Sequence, residues 1–200
     1  MQPFAAAIHL NIKMNEKAIL QTISDTSPDA STRAGFRVAM ELVWNLHASK
    51  VLNLAFRMLK NKEEAEDILM DVFAHLPKAA QSFRGESSIS TWLFRLTVNQ
   101  CLMKLRAQKR HHELETENYN LIVEQGLSKT EEVANFNKEL FEKALGVLPA
   151  ETRSLLWLKD AEDLEIKDLA EIYNLPEGTI KARLSRARQS LRAFLAEKGE

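Results

Sequence analysis

The segment from residue 83 to residue 110 constrains the fold of this chain most, because it changes from a polar loop to a helical pattern within a few residues. Gly85 permits a tight bend in the loop, and the serines that follow can cap a helix. From about Ser90 the apolar residues recur at three- and four-residue steps, as on one face of an α-helix. The buried stripe that this spacing predicts comprises Phe94, Val98, Cys101, Leu102 and Leu105.

A second stripe of the same helix is polar and basic. Because each residue advances by about 100°, its centre lies well away from the apolar stripe, on a face that we expect to be exposed. Arginines suit phosphates, an amide suits base edges and an aromatic ring suits stacking, so this face matches a nucleic-acid strand. A core helix with a solvated basic face and a half-buried Trp92 explains the pattern equally well. The second stripe comprises Trp92, Arg95, Asn99, Met103, Arg106 and Arg110.

The composition favours an all-helical protein of one or two domains. The 200 residues are 45% hydrophobic, and only 6 Gly and 5 Pro interrupt stretches rich in Ala, Leu, Glu, Lys and Arg. The single cysteine, Cys101, excludes an internal disulfide and a multi-cysteine zinc site, and its place on the apolar stripe indicates a core residue. No segment approaches the length of a membrane span and no signal-peptide pattern is present, so we expect a cytoplasmic protein.

The charges are unevenly distributed although the formal net charge is only −1. Residues 104–112 hold four Lys or Arg and no acid, and residues 177–192 hold five against one Glu. Between them, residues 113–132 hold six Glu against one Lys. Two basic blocks separated by an acidic spacer indicate two separate anion-binding sites.

Two helices are predicted upstream of these blocks. Apolar faces indicate a long helix over residues 35–59, and Asn61 can cap a second helix over residues 63–80. The predicted core stripe of the second helix comprises Ala65, Ile68, Leu69, Val72, Phe73 and Leu76. Residues 1–33 are poorly patterned, and they are either a flexible extension or a small helix packed on the first domain.

The polar side of the second helix allows three interpretations. Asp67, Asp71 and His75 stand at successive four-residue steps and therefore share one helix face. Two carboxylates and an imidazole can bind a metal, which would fit a metal-dependent hydrolase, although phosphate-binding glycine loops and nucleophile elbows are absent. An acidic face in solvent and a face that docks on a partner are the alternatives.

A helix-turn-helix pattern lies near the end of the chain. Residues 166–173 predict a short helix, residues 174–176 a turn, and a basic helix follows from about Gly178 to Leu195. The second helix of such a unit can lie in the major groove. A helical hairpin with a solvated basic face is the alternative. The side chains that we expect outside are Lys181, Arg183, Ser185, Arg186 and Arg188.

Both patterns resemble one family. FRGES followed by STWLFRLTVNQ resembles the loop and helix with which bacterial RNA polymerase sigma factors of the extracytoplasmic-function group open promoter DNA. LP..TR followed by DLAEIYNLPEGTIKARLSRAR resembles the C-terminal domain of the same group. The resemblance implies an all-α protein with an N-terminal extension (1–33), sigma region 2 (34–112), a flexible acidic linker (113–132) and sigma region 4 (133–200).

The resemblance also implies where promoter DNA binds. The residues implied for the melted minus-ten strand are Arg84, Gly85, Glu86, Ser87, Ser88, Trp92, Arg95, Asn99, Lys104, Arg106, Lys109 and Arg110. Those implied for the minus-thirty-five duplex are Thr179, Lys181, Ala182, Arg183, Ser185, Arg186 and Arg188, although Arg183 and Arg188 could instead serve phosphates or internal packing. Primary sigma factors place two tryptophans at the edge where the DNA strands separate. This chain has Trp92-Leu93 there, so the resemblance implies that one aromatic ring, rather than two, lies at this edge.

The implied partners are proteins as well as DNA. Residues 63–80 would dock on the clamp helices of the largest polymerase subunit through Glu64, Asp67, Met70 and Asp71, with Met70 where the family often has Gln. The C-terminal domain would sit on the flap of the second-largest subunit, and an anti-sigma factor is expected. The family implies no catalytic residue, metal or cofactor. A helix-turn-helix regulator that binds duplex DNA without polymerase is the rival interpretation.

Overall fold

The structure, a computed structural model, describes residues 16–24, 30–85, 87–116 and 143–198. In this part of the chain the secondary structure is helical and contains no strand, as predicted. The helices are α1 (Glu16–Ser24), α2 (Ala30–Leu59), α3 (Lys62–Ala80), α4 (Ile89–Thr116), α5 (Ala150–Asp160), α6 (Ile166–Tyr173) and α7 (Glu177–Lys198). The described residues form two compact units. The first contains those up to residue 56 and residues 60–100, and the second contains residues 57–59 and those from residue 101 onward.

The short helix α1 is part of the core of the first unit. Leu20 and Ile23 are completely buried, and α1 packs against α3. A Cβ added at Gly35 would approach Thr22 Cγ2 to 3.4 Å, so the start of α2 also lies close to α1. For residues 16–24 the packed helix is therefore correct, whereas residues 1–15 and 25–29 lie outside the described part.

The break between α2 and α3 has the predicted cap. Lys60 takes a left-handed conformation with φ 58°, which ends α2. The side chain of Asn61 then accepts a hydrogen bond from the backbone N–H of Glu64 at 3.0 Å. All six residues predicted for the core stripe of α3 are buried. The observed α2 begins at Ala30, five residues before the predicted start.

The second unit is built around a polar but fully paired centre. Arg153 is only 6% exposed, and its guanidinium donates to the carbonyl oxygens of Leu145 and Leu148 at 3.5 and 3.1 Å. The hydroxyls of Ser154 and Tyr173 lie 2.8 Å apart, and burial raises the pKa of Tyr173 well above its ordinary value. The surrounding apolar core comprises Leu155, Leu158, Leu169, Ile172, Ile180 and Leu184.

Helix α4 extends into the segment predicted as a linker. It continues to Thr116, so residues 113–116 are helical. Glutamates at positions 113 and 115 do not end a helix, because Glu is a good helix former. Residues 117–132, the rest of the predicted linker, lie outside the described part of the chain, as do residues 133–142.

Candidate nucleic-acid interface

The loop before α4 folds as the sequence predicts. Gly85 has φ 74°, a left-handed conformation that glycine adopts without a Cβ clash. The Ser88 hydroxyl accepts a hydrogen bond from the backbone N–H of Thr91 at 3.1 Å, which caps the helix that begins at Ile89. Arg84 and Ser88 are exposed and Ser87 is half-buried, while Glu86 lies outside the described residues.

Trp92 contradicts the expectation that it lies on an exposed face. It is only 4% exposed, and its ring meets that of Phe83 edge to face with centroids 5.3 Å apart. The bend at Gly85 places Phe83 beside the first turn of α4. More of the surface of that turn is therefore buried than in the middle of the helix. Leu93 is also buried, so neither member of the Trp92-Leu93 pair is an exposed wedge in this conformation.

The remainder of the polar stripe is exposed, as predicted. Arg95 and Asn99 project from the middle of α4, and Met103 follows them on the same face with 61% of its surface accessible. The buried residues of the opposite stripe are Phe94, Val98 and Cys101, and burial raises the pKa of the Cys101 thiol to about 12. Further along α4, Arg106, Lys109 and Arg110 are exposed, and Lys104 is half-buried.

Helix α3 presents an acidic face with an apolar centre. Asp67 and Asp71 are exposed, Met70 is 60% exposed, and Glu64 is half-buried. His75 donates from Nδ1 to the carbonyl oxygen of Asp71 at 2.7 Å. Within the described residues no group of three His, Cys, Asp or Glu side chains is placed to hold a metal ion.

The helix-turn-helix is present. After α6, Asn174 takes a left-handed conformation with φ 50°. The carbonyl oxygen of Pro176 then accepts from the N–H groups of Thr179 and Ile180 at 2.9 and 3.1 Å, which starts α7 directly after the proline. The side chains that bury the inner face of α7 are Ile180, Leu184 and Ala187.

The residues before α6 show a cap of their own. Asp163 has φ 52°, a left-handed conformation that glycine adopts easily and aspartate tolerates. The Asp168 carboxylate accepts a hydrogen bond from the backbone N–H of Glu165 at 3.2 Å. Glu165 and Asp168 therefore form an acidic capping box at the start of α6.

The cationic side chains of α7 fall into two groups. Lys181 and Arg186 are exposed together with the small side chains of Ala182 and Ser185, and Thr179 is half-buried. Arg183 and Arg188 instead turn to α5, where Arg183 Nη1 lies 2.9 Å from Glu151 Oε2 and Arg188 Nη2 lies 2.7 Å from Asp160 Oδ1. The sequence left more than one role open for these arginines, and in this structure both make internal contacts.

Glu151 and Asp160 were missed by sequence reasoning, as were Leu20 and Ile23. The two acids lie 32 and 28 residues before their arginines, so no helical spacing relates them. A further missed contact joins His47 Nδ1 and the Ser90 hydroxyl at 3.4 Å. Burial, with a smaller effect of Lys50, lowers the pKa of His47 from 6.5 to about 4. None of the described helices is long and apolar enough to cross a membrane.

Family comparisons match both of these regions. The family model described as Sigma-70 region 2 matches residues 43–111, and that described as Sigma-70, region 4 matches residues 138–191. The first match contains the loop and most of α4, and the second contains the helix-turn-helix. Fold and sites together thus define a protein of the sigma-70 class.

Individual relatives narrow this class. The chain is 31% identical over 172 residues to the ECF RNA polymerase sigma factor SigM of Mycobacterium tuberculosis, covering 86% of this chain and 85% of that protein. It is 29% identical over 174 residues to the ECF RNA polymerase sigma factor SigW of Bacillus subtilis, covering 82% and 93%. The chain therefore belongs to the extracytoplasmic-function (ECF) family of RNA polymerase sigma factors.

Solved structures agree with this assignment. The fold is similar to that of the sigma factor RpoE from Bartonella quintana, solved in complex with the anti-sigma factor NepR, with a TM-score of 0.63 and 25% identity. That match covers 78% of this chain and 96% of RpoE. CnrH, solved in complex with the cytosolic domain of CnrY, matches with a TM-score of 0.62 over 91% of this chain, and at 16% identity this shows the fold alone.

Proposed function

We propose that this protein binds RNA polymerase core in the cytoplasm and directs it to promoters with two separated elements. The observation that carries the proposal is the presence of two exposed cationic helix faces, on α4 and on α7, in the order that the matched regions 2 and 4 have in this family. The factor itself needs no catalytic group, because it contributes binding energy and the polymerase contributes the chemistry.

Helix α7 reads the minus-thirty-five element as duplex DNA. Lys181 and Arg186 are exposed and long enough to reach base edges or phosphates in the major groove. Ala182 and Ser185 lie between them, and their small side chains allow a close approach to the DNA. Much of the sequence preference then depends on the two cations and on DNA shape.

The loop from Arg84 to Ser88 and the exposed face of α4 hold the melted minus-ten strand. Arg95 and Asn99 lie closest to the loop, where they contact the edge at which duplex becomes single strand. The phosphates downstream are held by Lys104, Arg106, Lys109 and Arg110. Trp92 has no stacking role in this proposal, because its ring is buried and supports Phe83 beneath the loop.

Strand capture must offset the cost of unstacking a base, which is a few kcal/mol. Each phosphate that a cation neutralises adds a salt-dependent contribution from released counterions. Because Trp92 is buried, this proposal contains no stacking of a base on its ring. Capture then relies on the loop and the cations, so promoter opening is expected to be strongly salt-dependent.

The acidic face of α3 docks on the clamp helices of the largest polymerase subunit. Asp67 and Asp71 supply charge that steers the encounter, and exposed Met70 supplies an apolar centre that can adapt to its partner. Glu64 lies one turn before Asp67 and extends the acidic face. The second unit sits on the flap of the second-largest subunit.

An anti-sigma factor holds the protein inactive until a signal arrives. This part of the proposal is supported by RpoE, whose fold this chain shares and which was solved with the anti-sigma factor NepR. Covering either cationic face would be enough to stop promoter recognition.

Run-off transcription with purified polymerase core and a library of promoter sequences tests the proposal. The expected result is transcription that requires this protein and selects templates with two conserved elements. Tight, sequence-specific binding to duplex DNA without core, and no core-dependent transcription, would instead support a helix-turn-helix regulator.

A further inference from the structure

The four outward residues of α7 and its two paired arginines occupy different arcs of the helix. Taking about 100° per residue and Ile180 as origin, the buried side chains of Ile180, Leu184 and Ala187 centre near 0°. Arg183 then lies about 60° to one side of that centre and Arg188 about 80° to the other. The reading arc, from about 100° to about 240°, carries the exposed residues Lys181, Ala182, Ser185 and Arg186, and Lys181 at its edge lies about 20° from Arg188.

The acidic partners of the two arginines lie at opposite ends of α5. Glu151 is in the first turn of that helix and Asp160 is its last residue, so their Cα atoms are about 13 Å apart along the axis. Both ion pairs are short, at 2.9 and 2.7 Å. The two ion pairs lie on opposite sides of the buried stripe of α7 and near opposite ends of α5. Together they resist rotation of α7 about its own axis and tilting of α7 against α5.

The apolar contacts of α7 alone do not provide this restraint. Hydrophobic packing is non-directional. The fully buried side chains of α7 are two branched aliphatics and one alanine, with Leu191 and Phe194 half-buried further along the same face. A charged hydrogen bond from a planar guanidinium has a defined direction. A rotation of α7 about its axis by about 30° would move the residues of the reading arc sideways relative to the base edges that they contact.

We infer that Arg183 and Arg188 are positioning residues, which set the angle at which α7 presents its reading arc through Glu151 and Asp160, and that they are not phosphate ligands. The inference rests on the proposed function, because it concerns how the minus-thirty-five element is read. It assigns a role in promoter recognition to Glu151 and Asp160, which carry the wrong charge to bind DNA.

The direction of the effect of Glu151→Gln separates this role from phosphate binding. If Arg183 positions α7, the variant holoenzyme binds a minus-thirty-five promoter about fivefold more weakly, the size expected for a partly exposed ion pair. If Arg183 binds phosphate and Glu151 merely competes for it, the same variant binds as tightly as the wild type or more tightly. Asp160→Asn tests Arg188 in the same way.

Salt dependence supplies an independent measurement. Loss of a phosphate contact lowers the slope of log K against log salt by about 0.9, whereas loss of a positioning residue leaves the slope unchanged. We expect Lys181→Gln to lower the slope and Arg183→Gln to weaken binding without lowering it. The exchanged pair Glu151→Arg with Arg183→Glu should regain most of the lost affinity, which a glutamate facing phosphates could not do.

Asp163→Asn is the matched control. It removes one carboxylate from the same unit, and this carboxylate pairs with Lys159 at 3.6 Å rather than with an arginine of α7. Asparagine also tolerates the left-handed backbone at this position. Its holoenzyme should bind like the wild type. A full decrease of the slope in Arg183→Gln, or undiminished binding by Glu151→Gln, would overturn the inference, whereas a wild-type holoenzyme that selects no promoter would overturn the proposed function itself.

Discussion

Two regions differ in how side chains are removed from their proposed DNA-binding surfaces: the loop and helix α4 in the first unit, and the helix-turn-helix in the second. In the first unit an aromatic residue, Trp92, is removed from the polar stripe by burial against Phe83. In the second unit two arginines are removed by ion pairs that remain partly exposed. Burial of a ring is strongly favourable and commits Trp92 to the fold, whereas a partly exposed ion pair is weak and adjusts an orientation.

Truncation of Trp92 tests the first half of this comparison and has the largest expected effect. Trp92→Ala should lower the free energy of unfolding by about 3–5 kcal/mol, because it removes a buried ring and leaves a cavity. Urea denaturation of the full chain measures this. Met103→Ala, on the exposed face of the same helix, should cost less than about 0.5 kcal/mol. Equal effects of the two substitutions would mean that Trp92 is a surface residue after all.

Replacing the buried arginine of the second unit should have an intermediate effect. Arg153→Met keeps much of the side-chain length but removes the donor to the carbonyl oxygen of Leu148, whereas the carbonyl oxygen of Leu145 keeps the N–H of Leu148. Leaving the buried Leu148 acceptor unpaired is expected to cost about 1–3 kcal/mol in unfolding free energy. Arg192→Met, at an exposed position of α7, is the control and should leave the urea midpoint within error. A midpoint for Arg153→Met as high as that of the control would contradict this account.

Loss of the cap at the start of α3 should cost about 1 kcal/mol. Asn61→Ala removes the acceptor of the Glu64 N–H, whereas Asn61→Asp retains an acceptor and suits the positive end of the helix. Thermal melting of the two variants should therefore place the alanine variant below the aspartate variant. The reverse order would show that the side chain of residue 61 does not cap α3.

The pH dependence due to His47 is the smallest effect that we predict. Its pKa is lowered to about 4 in the folded chain, so between about 6.5 and 4 the unfolded chain binds the proton more tightly. The contribution of His47 to stability is complete above about pH 6.5 and decreases as the pH falls toward 4. Urea midpoints at pH 7.5 and pH 5 should differ less in His47→Gln than in the wild type, and an equal difference in both would exclude this role for His47.

The reasons why some elements were predictable and others were not are physical. The core stripe of α3, the Asn61 cap, the Gly85 bend and the Ser88 cap depend on residues within about four positions of one another, where helix geometry relates sequence spacing to a face. The burial of Trp92 depends on a ring nine residues earlier in the chain that returns through a bend. The partners of Arg183 and Arg188 lie about thirty residues away, and no periodicity links them.

The sequence alone determined that this protein is helical, where most of its helices lie, and that it carries two cationic regions in the order of an ECF sigma factor. These properties follow from local periodicity, from caps and from the run of motifs along the chain. Only the tertiary structure decided which members of each polar stripe face outward, that α1 is part of the core of the first unit, and which acids pair with Arg183 and Arg188 of α7. Those outcomes depend on contacts between segments that are distant in the sequence. Such contacts contribute to the free energy of folding only after the intervening chain has brought the segments together.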